Sequence, residues 1–160
     1  MKKHKQPKIE SKSKVKLKKT PDHHDAELAL KLYDLRRESV MRQSRDAIAK
    51  FTPRSYEEFI EITKPEHPHN AAWRQVSSYF EMAFGFARHG IVNPDFLAEN
   101  CGEGFLLFAK VAPHLERFRK EAGAPNAFRN AEWMVANSAS AKQRFELFTA
   151  RFAKQAAAAK

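Results

Sequence analysis

Seven histidines, one cysteine and one pair of adjacent serines are the side chains of this sequence best suited to catalysis or metal binding. The densest grouping is Asp22-His23-His24-Asp25. A His-Asp doublet can hold a metal when a further upstream His and a distant Asp join it. The only His ahead of this cluster is His4, inside a lysine-rich leader, so the ligand set is incomplete. A helix start explains the cluster better, because acidic side chains suit the positive end of the helix dipole. A carboxylate-bridged di-iron bundle needs Glu-x-x-His on two facing helices. The chain has one such spacing, Glu66 to His69, and it falls in a proline-rich loop. His67 and His69 supply two ligands, which do not make a site. His89 and His114 fall on polar helix flanks and read as solvated.

Ser77 and Ser78 have no histidine base near them in sequence. Cys101 is the only cysteine, so no internal disulfide can form, as in a reducing compartment. Its small and apolar neighbours mark a buried structural thiol rather than a nucleophile. No phosphate-cradling glycine loop is present. Gly102-Glu103-Gly104 reads as a turn between helices. The expectation is therefore a chain with no catalytic residues, no metal and no cofactor.

Charge points elsewhere. The net charge of +10 is concentrated at one end. Residues 1–20 hold nine lysines (Lys2, Lys3, Lys5, Lys8, Lys12, Lys14, Lys16, Lys18 and Lys19) against the single acid Glu10. The leader alone is +8 and the other 140 residues are +2. With few apolar residues it cannot bury enough surface to offset the entropy of ordering, so disorder is expected there. These lysines are the candidate polyanion-binding residues, for nucleic acid or an anionic surface. No aromatics interleave them to stack bases, so any nucleic-acid binding would be independent of sequence.

Whatever these residues do, helices must position them. The stretch Asn70–Gly90 reads as the central helix, spanning 71–89. At 100° per residue, Val76, Phe80, Ala83, Phe84 and Ala87 cluster with Trp73, and Tyr79, Met82 and Phe86 widen the face. The apolar arc covers roughly 200°, against roughly 100° for an ordinary surface helix, so neighbours are needed on more than one side. Asn70 is the expected N-cap and Gly90 the residue past the C-cap. The strip Arg74, Glu81, Arg88 reads as a solvated face.

Around this element the sequence predicts several more helices. Thr20-Pro21-Asp22 opens one running to about Lys50, with Leu28, Leu32 and Leu35 inward and Leu30 and Tyr33 widening its face. Ser55-Tyr56-Glu57-Glu58 has the capping-box pattern of a short helix with Phe59 and Ile60 in the core. Asn93-Pro94 starts another, to about Cys101. The next carries Phe105, Phe108 and Leu115 and is kinked or split by Pro113. Residues 126–136 form a further helix with Phe128, Trp133 and Met134. The last, 139–155, bears the stripe Phe145, Phe148, Phe152 and serves either as a basic amphipathic binding element or as one more packed helix. No strand pattern, fixed-period repeat, secretory signal or run of about 18 apolar residues is present.

The order of elements from about Asp25 to Met134 resembles an uncharacterised bacterial helical domain family of unknown function. The residues that carry the likeness are LYDLRRESVMRQSR in the first helix, the Ser55–Phe59 helix start and FARHGIVNPD from Phe86 to Asp95. The Pro113 helix and Asn130–Trp133 also carry it. The resemblance implies an all-helical fold and a bacterial setting, with no activity or site residues attached. Members often look membrane-tethered ahead of the domain. Here a lysine-rich leader occupies that place.

Together these features predict an all-α protein: a single irregular helical bundle of about six or seven helices. The expected organisation is a disordered leader (1–20), a bundle domain (21–156) and a frayed tail (157–160), in the cytoplasm. The expected role is a non-enzymatic interaction module binding a protein partner or a charged surface. The alternative is a nucleic-acid-associated accessory protein that binds through its leader.

Overall fold

Asp22, not Thr20, starts the first helix. Its carboxylate accepts the backbone N–H groups of His24 and Asp25 at 3.0 and 3.2 Å, and Asp25 Oδ2 accepts the N–H of Asp22 at 3.1 Å. This reciprocal box satisfies donors that the first turn otherwise leaves open. A computed structural model describes residues 16–158. Among them are nine α-helices: α1 (His23–Arg37), α2 (Ser39–Lys50), α3 (Tyr56–Thr63), α4 (Asn70–Arg88), α5 (Pro94–Asn100), α6 (Gly102–Val111), α7 (Leu115–Glu121), α8 (Arg129–Asn137) and α9 (Ala139–Ala158). A 3-10 turn, Ala112–His114, joins α6 to α7 where Pro113 removes a helical donor. No strand occurs among the described residues.

The expected all-α bundle around a central helix is what forms. The helices outnumber six or seven because two long ones are divided. Glu38 breaks the first, leaving the helical region (φ −55°, ψ 142°) and capping α2 by accepting the N–H of Met41. Pro113 divides the second.

Helix α4 buries Trp73, Val76, Phe80, Ala83, Phe84 and Ala87 at once, as its wide apolar arc requires. It packs against α2 on one side and α8 on another, with α3, α5 and α6 closing the remainder. Phe84 stacks on Phe105 of α6 at 4.6 Å, and Trp73 meets the edge of Phe59 of α3 at 5.6 Å. In α3 the fully buried residues are Phe59 and Ile62, whereas Ile60 is half-buried. Gly90 has φ 73°, and the bonds Gly90 N–H to Ala87 O and Ile91 N–H to Phe86 O form the expected left-handed stop. Asn70 is not the cap. His69 takes that place, and Asn70 turns inward to donate to Ile62 O at 3.0 Å.

Gly102 and Gly104 are not a turn. They lie in the first turn of α6, where the helix crosses α4. A Cβ on Gly104 would stand 2.5 Å from the Phe84 ring and 2.7 Å from Phe80. Glycine is required there for close approach, not for backbone freedom.

The last helix packs on its own bundle through its first half. Ala141 is fully buried, and Phe145 meets Phe108 at 5.1 Å. Asp95 fixes its start by accepting Ser138 Oγ–H at 2.6 Å and Ser140 N–H at 3.0 Å. Phe148 is half-buried against the core, and Leu147 stays in solvent.

Candidate interaction surface

The exposed side of α1 carries large apolar side chains beside its polar ones, His23, His24, Glu27, Lys31 and Asp34. Leu30 is 65% exposed and Tyr33 is 49% exposed. The sequence assigns both to the core face, and the structure corrects this. Leu32 is buried and Leu28 half-buried, but α1 is covered along that one line only. Leu35, also expected to point inward, is exposed as well.

Beside α1 runs a groove of about 400 Å³, bounded by α1 and α5 and floored by Tyr79 of α4. Ala26, Ala29, Leu30 and Tyr33 form one wall and Phe96 faces them. Arg36 closes one end. The Arg36 and Arg37 guanidiniums lie 5.1 and 5.6 Å from the Tyr33 ring centroid, within cation–π range. Two groups in the groove could carry chemistry, and burial disarms both. The Tyr79 hydroxyl donates to Leu32 O at 2.6 Å and its pKa is pushed up to about 12. The Cys101 thiol is buried as expected and is pushed up to about 11, so it stays protonated at neutral pH.

A second, wider groove of about 810 Å³ lies between α4 and the segment from α7 to α8. It contains Ser77, Ser78 and Glu81. Both serine hydroxyls are turned back to their own helix, donating to Arg74 O and Gln75 O. Glu81 is not on a solvated strip. It is half-buried, and its carboxylate accepts the N–H of Asn130 at 3.0 Å and of Ala131 at 2.8 Å. Phe128, at the start of α8, has φ 53° and offers no side-chain cap, so Glu81 caps α8 from another helix. Burial raises the Glu81 pKa. Arg88 joins this cluster by donating to Asn130 Oδ1 at 3.1 Å. No regularity in the sequence signals these contacts, since they depend on where α8 lands.

The other ionisable groups of the interior also close helix ends. Lys110 of α6 is buried and donates to Ile48 O and Ala49 O at 3.2 and 2.8 Å, capping α2. Burial pushes its ammonium down to about 8. Arg45 binds Glu103 through both carboxylate oxygens at 2.9 and 2.8 Å, joining α2 to α6.

The Asp-His cluster separates. Asp22 and Asp25 cap α1, and the rings of the exposed His23 and His24 lie tilted against each other with centroids 4.0 Å apart. His67 and His69 sit 5.8 Å apart in the loop before α4. His89 is exposed, whereas His114 is not solvated on a flank: it is half-buried and stacks on Phe59 at 5.9 Å. No group of three or more His, Cys, Asp or Glu placed to hold a metal occurs among the described residues.

Lys2, Lys3, Lys5, Lys8, Lys12 and Lys14 lie outside the described residues. Lys16 and Lys19 are exposed. Lys18 is not a free leader cation. Its Nζ sits 2.8 Å from both Asp22 and the fully buried Asp25, and its carbonyl accepts Asn93 Nδ2–H at 2.9 Å. These bonds raise the Lys18 pKa and pull that of Asp22 down to about 2. Lys18 therefore ties α1 to the start of α5.

No helix of the described residues is long and apolar enough to cross a membrane. The comparisons with curated proteins and with solved structures return no match. The model of one family, "Domain of unknown function (DUF4760)", matches residues 21–138, which takes in α1 to α8 and stops before α9. This chain belongs to the DUF4760 family.

Proposed function

We propose that this domain is a non-enzymatic interaction module that holds a protein partner on the exposed face of α1 and in the adjoining groove. The observation that carries the reading is the exposure of Leu30 and Tyr33 on the wall of an apolar groove. Large apolar side chains gathered at a concave site are a mark of recognition surfaces. The use of Lys110, Glu81 and Asp95 to close helix ends supports the same reading, because it gives these groups a structural role. A lone cysteine with no disulfide partner suits a reducing setting, which supports work in the cytoplasm.

The test is affinity capture on the full chain and on a full chain carrying Leu30→Asp and Tyr33→Ser. A partner retained by the first and not the second, and reconstituted from purified components, supports the reading. Retention that is the same on both overturns it. The lysines of the leader favour a second reading, sequence-independent nucleic-acid binding. It requires retention that falls steeply with salt and is lost on deleting residues 2–15, a deletion that spares Lys18.

A further inference from the structure

We infer that the α1–α5 groove accepts an amphipathic helical segment of a partner protein whose apolar stripe is accompanied by acidic side chains. This rests on the interaction-module reading and gives it a ligand chemistry. Helical geometry places Ala26, Ala29, Leu30, Tyr33, Arg36 and Arg37 within one sector of roughly 120°. From Ala26 to Arg37 that sector is about 16 Å long, the length of about three helical turns. A continuous face of this length suits a segment of chain better than a small molecule. The two alanines at i and i+3 form a shallow trough between larger side chains, where another helix can approach.

Charge selects the partner. Arg36 and Arg37 stand at the C-terminal end of this sector, stacked on Tyr33. Neither has a carboxylate within 4.0 Å among the described residues, and what sets this pair apart from the other arginines without one is its place on Tyr33 beside the groove. A guanidinium pair at the edge of an apolar groove favours carboxylates brought by the ligand and disfavours lysines. The pairing of apolar anchors with acids is the helix-in-groove mode with its register set by charge.

The experiment is selection from a displayed library of 16-residue amphipathic helices. Their apolar stripe is fixed as Leu and Phe, and their flanking positions vary among Glu, Lys, Gln and Ser. The target is the full chain, with Leu30→Asp and Arg36→Glu/Arg37→Glu chains as parallel targets. Leu30 and Arg37 are exposed and Arg36 is half-buried, and circular dichroism verifies that each variant keeps its helices. The expected result is enrichment of Glu near one end of the stripe. On the Arg36→Glu/Arg37→Glu chain the preference turns to Lys, and the first-selected peptides bind about tenfold more weakly. Enrichment without charge bias overturns this inference and leaves the groove reading standing. Enrichment unaffected by Leu30→Asp overturns both. No enrichment, or binding only to vesicles of mixed phosphatidylcholine and phosphatidylglycerol added in parallel, overturns the acidic-helix inference.

Discussion

Glu81 and Asn130 hold each other in a reciprocal pair. The Glu81 carboxylate accepts the backbone N–H of Asn130 at 3.0 Å, and Asn130 Nδ2 donates to the Glu81 carbonyl at 2.8 Å. A helix end without its own cap is thereby closed by a side chain 49 residues away. Glu81→Ala leaves two N–H groups at the start of α8 without that acceptor and is expected to cost about 1–3 kcal/mol in urea unfolding. Because burial raises the Glu81 pKa in the folded protein, its contribution is fully present below the unfolded value. It is lost as pH rises through the folded one. Glu81→Gln is expected to remove that dependence, so wild type loses stability relative to it as pH rises from below the ordinary glutamate value through the raised folded one.

Lys110 gives the opposite sign. Its folded pKa of about 8 lies below the ordinary 10.5. Between those values the unfolded chain binds the extra proton, so stability rises with pH across that window. It is fully present above 10.5 and lost as pH falls through 8. Urea midpoints of wild type and Lys110→Met are expected to shift in favour of wild type between pH 7 and pH 10. Cys101 and Tyr79 titrate in the other direction but are common to both chains, so the comparison isolates Lys110.

Lys18 distinguishes the fold from the leader. Lys18→Met removes the partner of the fully buried Asp25 and is expected to lower the melting temperature measured by circular dichroism. Lys16→Met, at an exposed position, is expected to leave it unchanged. Equal melting temperatures for the two variants would contradict the role assigned to Lys18.

Gly104→Ala sets helix propensity against sterics. Alanine favours the helix by about 1 kcal/mol. The new Cβ would fall 2.5 Å from Phe84 and 2.7 Å from Phe80, both nearly inaccessible, and overpacking costs about 1–3 kcal/mol. Net destabilisation is expected, read as a lower urea midpoint. A rise would mean that α4 and α6 can separate freely.

The all-helical bundle and its central helix were legible because the apolar arc from Trp73 to Ala87 is too wide for a surface helix. The Ser55 and Asn93-Pro94 starts and the Gly90 stop were legible because capping is local chemistry, complete within four or five residues. The break at Glu38 was not, since glutamate is an uncommon N-cap and the flanking apolar pattern continues through it. Gly102 and Gly104 read as a turn because sequence does not reveal a close helix crossing. The exposed side of α1 is hidden from the sequence for a related reason. Leu30 and Tyr33 fit the stripe of a buried helix, and only the placement of α5 shows which side of α1 lacks a cover. Glu81, Lys110 and Lys18 act on residues 49, 61 and 7 positions away, contacts that no local pattern announces.

The central claim is that the α1 face is a protein-binding surface. Its most direct measurement is retention of a reconstituted partner by the full chain against the chain carrying Leu30→Asp and Tyr33→Ser, both folded by circular dichroism. Loss of binding by at least about tenfold in the variant is the expected result. Equal retention by the two chains would contradict the claim.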